Sequence, residues 1–324
     1  MQKKPLILIT GACGFIGSGL VRYLNDQGYD NLLLVDNVKS SEKWKNLRQK
    51  RFVEILPKEA LFSYLEKKPP IEAIFHLGAC SSTLEQDGDY LLENNYRYSI
   101  KLAQYAIENH CRFIYASSAA TYGDGKEGFS DKEENLFKLK PLNLYGFSKH
   151  LFDLWLYQNN YLNQVVGLKY FNVFGPNENH KGNMASMVFK MAHIAQKGEA
   201  IRLFKSTEPQ KYQDGRQVRD FIYVKDAVEM TCSFYLGKRK EETGIFNVGR
   251  GKTVTWLELA DALFKALEKK PKIEFIDMPK EMVKAYQNFT LADMQKSKEY
   301  FSCSSIEDNV QDYVRNYLLL GNRW

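Results

Sequence analysis

The chain's 324 residues, 44% hydrophobic and 26% charged, suit a folded globular protein built as one domain with a smaller lobe or as two domains. Its net charge of +6 comes from dispersed basic residues interleaved with acids, as in Lys132-Glu133-Glu134, which argues against a nucleic-acid surface and suits an enzyme with polyanionic ligands. No apolar run approaches the roughly 18 residues of a membrane span, and five scattered cysteines without a CxxC pair point away from disulfides or zinc and towards a reducing cytoplasm, so neither a metal nor a membrane partner is expected.

In chain order, Leu6 to Thr10 predicts a first strand that runs straight into a glycine-rich turn. Residues 18–27 predict a helix stopped by Gly28. Residues 31–36, 73–77, 111–116 and 164–170 are further strand-like runs, and 90–109 has helical spacing. This alternation predicts an α/β fold, a Rossmann-type doubly wound parallel sheet, with a smaller mixed α/β lobe for substrate. The nucleotide-binding part is expected over 1–172, completed by about 219–250. The substrate lobe is expected over about 173–218 and 251–324. The polar loop 205–218, with Pro209 and Gly215, is long enough to read as a lid or binding loop.

The turn Gly11-Ala12-Cys13-Gly14-Phe15-Ile16-Gly17 has GxxGxxG spacing. Its glycines allow a tight bend, close approach of a phosphate to the backbone, and helix–strand packing. The helix that follows offers free N–H groups to a pyrophosphate. Asp36, at the end of the second strand, is placed to accept from an adenosine ribose and favours NAD. Lys39 and Lys43 nearby would neutralise a 2′-phosphate and favour NADP, so charge alone leaves the choice open.

Ser117 and Ser118 end a strand, and Tyr145 and Lys149 are spaced i, i+4 at the start of a helix, on one face. A tyrosine is a poor base at neutral pH unless a nearby cation favours its phenolate. Lys149, joined by a charged nicotinamide ring, is expected to supply that charge. Tyr145 would then take a hydroxyl proton while Ser118 holds the same oxygen.

The glycine turn, strand-end serines and Tyr145-x-x-x-Lys149 resemble the extended short-chain dehydrogenases acting on nucleotide sugars. His180-Lys181-Gly182-Asn183-Met184-Ala185-Ser186 and Arg219-Asp220-Phe221-Ile222-Tyr223-Val224-Lys225-Asp226 narrow this to the ADP-glycero-manno-heptose 6-epimerases that supply the lipopolysaccharide inner core. The resemblance runs from residue 6 to about 292. It implies inversion at C6 of an ADP-linked heptose through a 6-keto sugar, with NADP as cofactor, in a homo-oligomer for which the family suggests a pentamer. Cofactor contacts are implied for Gly11, Gly14, Phe15, Ile16, Gly17, Asp36, Asn37, Lys43, Lys58, Leu77, Gly78, Ala79, Cys80, Ser81, Asn94, Lys149, Val173 and Lys181. Substrate contacts are implied for Ser118, Asn172, Asn183, Lys190, Phe204, Lys205, Ser206, Thr207, Arg219 and Tyr286, with Arg219 suited to bidentate contact with a diphosphate. Tyr145, Lys149, Ser118 and Lys181 are the implied catalytic set, Lys181 as a second base. Asn183 and Lys190 stand where relatives often carry serine and histidine, and the 205–218 loop is longer than in some of them. Two alternatives remain. Another nucleotide-sugar epimerase or dehydratase could use this scaffold, although a dehydratase usually needs an acid near Ser118 and residues 117–121 offer none. A non-catalytic NADP-sensing regulator would be expected to lack Tyr145 or Lys149.

Overall fold

The computed structural model describes residues 5–283 and 287–324. Strand β1 (Leu6–Thr10) leads through the glycine turn into α1 (Phe15–Asp26), followed by β2 (Leu32–Val35), β3 (Glu54–Leu56), α2 (Leu61–Leu65) and β4 (Ile71–His76). A continuous helical stretch comes next: α3 (Gly88–Leu91), a π-helical turn over Leu92–Arg97, and α4 (Tyr98–Glu108). Then come β5 (Arg112–Ser118), α5 (Leu144–Gln158), β6 (Val165–Tyr170), β7 (Asn172–Phe174), α6 (Met187–Gln196), β8 (Ile201–Phe204) and β9 (Val218–Tyr223). The chain continues through α7 (Val224–Leu236), β10 (Gly244–Val248), β11 (Thr253–Thr255), α8 (Trp256–Ala266), β12 (Ile273–Ile276), α9 (Lys280–Val283) and α10 (Ile306–Tyr313).

Among the described residues the large sheet has seven strands in the order β10-β6-β5-β4-β1-β2-β3, all paired in parallel. The expected doubly wound parallel sheet is therefore present. Its strands are apolar on both faces because helices cover both. In β1, Ile7 and Ile9 enter one core layer and Leu8 the other, and all three are fully buried. The five strands expected from sequence lie within a residue or two of their predicted positions. The edge strands β3 and β10 are additional. They are short, and they are held by pairing with β2 and β6.

Strand order reverses between β1 and β4, which opens a crevice at the carboxyl ends of the strands. A second sheet, β7-β9-β11, begins one residue after β6, with Asn172 of β7 paired to Phe221 of β9. It roofs the crevice beyond β5 and β6. The pair β8-β12 lies further out and holds one end of the 205–217 loop through Lys205 N donating to Ile276 O at 2.8 Å. Segment 219–250 divides between layers: β9 belongs to the second sheet, α7 packs on α1, and β10 closes the large sheet beside β6.

Helix α5 starts where Asn143 accepts from Gly146 N at 2.8 Å, an N-cap of the usual kind. Gly146 is required there for a second reason. A Cβ at that position would lie 2.8 Å from the Ala120 carbonyl oxygen, so glycine alone lets the first turn of α5 approach the end of β5 this closely.

Candidate active site

A cleft of about 920 Å³ runs from the glycine turn, past the ends of β4 and β5, to the second sheet. Gly11 has φ +69°, and a Cβ on it would meet the Gly78 backbone at 2.7 Å. A Cβ on Gly17 would collide with the Gly11 carbonyl. The first turn of α1, Phe15-Ile16-Gly17-Ser18, is uncharged, so its free N–H groups and the positive end of the helix are left for an anion. This cradle fits the pyrophosphate of a dinucleotide.

At the rim, Asp36 is tied on both oxygens. Cys13 N donates to Oδ2 at 2.9 Å, and Lys43 Nζ pairs with Oδ1 at 2.8 Å. Burial, reinforced by Asp36, pushes the Cys13 thiol up to about 12, so it is held as an inert thiol. Asn37 accepts from Lys58 N at 2.8 Å and donates to Glu59, while Lys58 Nζ donates to Asn94 Oδ1 at 2.6 Å. These polar side chains lock one another in place along the wall where an adenosine would lie. Behind them, hydrogen bonds determine a histidine tautomer. Ser99 Oγ donates to the Asn95 carbonyl at 2.6 Å, so it must accept from His76 Nε2 at 2.8 Å. His76 Nδ1 then accepts from Thr10 Oγ1 at 2.7 Å, and Thr10 accepts from Gly78 N at 3.0 Å. Burial, and secondarily the Lys149 charge, push His76 down to about 3, so it stays neutral.

Tyr145, Ser118 and Lys149 meet at the centre of the cleft. Ser118 stands beside Tyr145, close enough to act on its phenol. Lys149 is buried, and its Nζ donates to the Ala116 carbonyl at 2.8 Å. Burial lowers Lys149 to about 8, with Asp153 opposing. Among the groups of the protein itself, burial and Ser118 decide the Tyr145 phenol. Burial raises the phenol, and the opposing influence is Ser118. The Lys149 ammonium is engaged with a backbone oxygen, so a phenolate would need a further positive charge in the cleft.

Lys181 also lines the cleft, with its ammonium 5.1 Å from the centre of the Phe15 ring, at the mouth of the glycine turn. Burial lowers its pKa, Glu178 opposes this, and Lys190 adds to it. The remaining cofactor candidates, Ile16, Asn37, Leu77, Ala79, Cys80, Ser81, Asn94 and Val173, face the same cleft, as does Asn172. Several substrate candidates do not line it. Asn183 is exposed, and its carbonyl accepts from Lys190 Nζ at 2.6 Å, so the two positions that depart from the family pattern touch each other. Phe204, Lys205, Ser206 and Thr207 lie at the end of β8 and in the loop after it, where Lys205 pairs with Asp277 at 3.1 Å and Ser206 N donates to Asp214 at 2.8 Å. Arg219 is not among the lining residues; it stands over the ring of Trp256, which is, at 5.7 Å and donates to the Val218 carbonyl. Its neighbour Asp220 is taken by the backbone N–H groups of Arg250, Gly251 and Ala292. Tyr286 lies outside the described residues. Trp256, Phe221, Met184 and Met187 also line the cleft and were not anticipated; the pairing of β7, β9 and β11 brings Phe221 and Trp256 there, while Met184 and Met187 come from the turn before α6 and its first residue. Among the described residues no group of three or more His, Cys, Asp or Glu could hold a metal ion, and no helix is long and apolar enough to cross a membrane.

Residues 7–249 match the model of the NAD dependent epimerase/dehydratase family. The chain is 47% identical over 321 residues to an ADP-L-glycero-D-manno-heptose-6-epimerase of Nitratidesulfovibrio vulgaris, covering 97% of this chain and 98% of the relative. It is 40% identical, with the same coverage, to a protein of that name from Fusobacterium nucleatum. Among solved structures, the Helicobacter pylori ADP-L-glycero-D-manno-heptose-6-epimerase superposes with a TM-score of 0.79 at 26% identity, covering 98% of both chains.

The neutral histidines make stability depend on pH with a definite sign. Burial also lowers His180, to about 4. Both histidines take protons near 6.5 once unfolded but resist them when folded, so their contribution is complete above 6.5 and is lost as pH falls towards 4 and then 3. His76→Gln can bridge Thr10 and Ser99 without titrating. Unfolding free energies measured by urea denaturation from about pH 7 to about pH 4.5 should fall less steeply for this variant than for the parent. Parallel curves would contradict a buried neutral His76.

Proposed function

The chain belongs to the NAD dependent epimerase/dehydratase family, and from that membership and the cleft we propose that it inverts C6 of the heptose in ADP-D-glycero-D-manno-heptose to give the ADP-L-glycero-D-manno form, a step in supplying the lipopolysaccharide inner core. The observation that carries this reading is the convergence of Tyr145, Ser118 and Lys149 on the cleft that also holds the glycine turn. The Rossmann-type portion takes the dinucleotide, and the second sheet with its neighbouring loops takes the substrate. We assign NADP because Lys39, Lys43 and Lys58 stand at the adenosine end, against Asp36 and Glu59. A 2′-phosphate there meets an excess of cations.

A bound nicotinamide supplies reversible hydride acceptance and, when oxidised, a positive charge. Tyr145 removes the C6 hydroxyl proton and returns it, and Ser118 holds the same oxygen by hydrogen bonding as it becomes a carbonyl. Lys149, one turn along α5, would favour the phenolate together with the positive charge of an oxidised nicotinamide, against the burial that raises Tyr145. Because hydride moves on one fixed side, the two epimers present C6 in different orientations, and we assign the second orientation to Lys181. Its lowered pKa suits a group that gives and takes protons. Arg219, braced on Trp256, is assigned to the substrate diphosphate.

Purified protein, incubated with either ADP-heptose epimer and no added cofactor, should reach the same mixture from both sides, and denaturation should release NADP. A preparation that neither carries nor takes up a dinucleotide, or that leaves both epimers unchanged, would overturn the reading. Lys181→Met keeps the aliphatic stem and deletes the amine. If Lys181 moves protons, kcat collapses at saturating substrate. If it only binds phosphate, KM rises while kcat is kept, and the second proton-transfer role is wrong.

A further inference from the structure

One turn beyond Lys149, helix α5 carries a carboxylate that the mechanism above does not use. Asp153 is fully buried. Among the described residues three side chains donate to it: Lys169 Nζ at 2.8 Å and Ser117 Oγ at 2.7 Å to Oδ2, and Tyr115 OH at 2.9 Å to Oδ1. Lys169, also fully buried, donates to Thr121 Oγ1 at 2.6 Å and stands 5.0 Å from the Tyr122 ring centre. The carboxylate thus ties α5 to β5 through Tyr115 and Ser117, and to β6 through Lys169. Ser117 adjoins Ser118, and Thr121 in turn donates to the Ser118 carbonyl at 2.8 Å.

A buried ion pair returns little net stability, since desolvation costs about as much as the attraction gives. The position of this one is what matters. Its anion lies four residues from Lys149 on the same helix face. The titratable groups around Lys149 are Tyr145 and His150 on α5, His76 on β4, Tyr115 on β5 and Lys169 on β6. Among these and the other described residues, Asp153 is the anion that acts on Lys149. We propose that Asp153 is a positioning residue, fastening the helix that carries Tyr145 and Lys149 to the strand end that carries Ser118 while its charge holds Lys149 in the ammonium form. This rests on the roles assigned above to Tyr145 and Lys149.

Asp153→Asn preserves the shape, because the amide oxygen can still accept from Ser117 and Lys169 and the amide nitrogen can donate to the Tyr115 hydroxyl. Asp153→Asn/Lys169→Met removes both charges and leaves no lone buried ammonium. In cofactor-free protein, the Lys149 ammonium is titrated by NMR. In Asp153→Asn its midpoint should fall, and it should fall less in the double variant, which also removes the Lys169 cation; the alkaline limb of kcat should move to lower pH in the same order. Folded variants in which Lys149 titrates as in the parent would overturn the proposal. A shifted titration with an unmoved kcat limb would support the hold of Asp153 on Lys149 and would contradict instead the role assigned to Lys149. Should neither variant fold, Ser117→Ala/Tyr115→Phe strips two donors from Asp153 and leaves its charge. The Lys149 midpoint should then rise, and an unchanged or lower midpoint would overturn the proposal.

Discussion

The close approach of α5 to the end of β5 is the contact on which the rest of the cleft depends. Tyr145 and Ser118 come from different elements, and they come side by side only because the first turn of α5 reaches the backbone of Ala120. Gly146 removes the steric obstacle to that approach. Burial of Phe152 and Leu156, further along α5, drives the packing, and each fully buried side chain of this size contributes about 1.5–3 kcal/mol. Apolar packing alone would tolerate a helix that slides or rotates slightly. Directional bonds from the Asp153 carboxylate to two strands would not.

Burial acts with opposite consequences on the titratable groups this packing encloses. It raises Tyr145, lowers Lys149 and Lys181, and keeps His76 neutral. Free tyrosine and lysine titrate close together, and burial moves this pair apart: it favours a neutral phenol at Tyr145 and brings the Lys149 ammonium nearer to neutral pH. His76 does a different job. As a neutral bridge between Thr10 and Ser99 it joins the glycine turn to the long helical stretch of α3 and α4, so the floor of the cofactor site and its side wall move together.

Features encoded by local spacing were legible in the sequence. The glycine turn, the strand runs of the parallel sheet and the Tyr145–Lys149 spacing each lie within a dozen residues, and each appears in the fold where expected. Features created by pairing between distant segments were not. β3 and β10 are strands because β2 and β6 offer them edges, and Trp256 and Phe221 reach the cleft through the register of β7, β9 and β11. The balance of charge and burial at Tyr145 was illegible for a related reason. Helical spacing shows that two side chains share a face, but it does not show that the ammonium is already bonded to Ala116 or that burial outweighs its charge. Lys169, sixteen residues from Asp153, would read in sequence as one polar residue in an apolar strand. The resemblance assigns Phe204, Lys205, Ser206 and Thr207 to substrate; Phe204 ends β8 and the other three open the loop after it, and none of the four is among the residues that line the cleft.

The claim that Tyr145 moves the substrate proton is tested most directly by kcat of Tyr145→Phe with saturating ADP-heptose, measured beside its dinucleotide content. The ring is kept and only the hydroxyl beside Ser118 is lost, so the dinucleotide should remain bound while kcat falls by about 10² to 10⁴. A variant that keeps its dinucleotide and epimerises at nearly the parent rate would contradict the account.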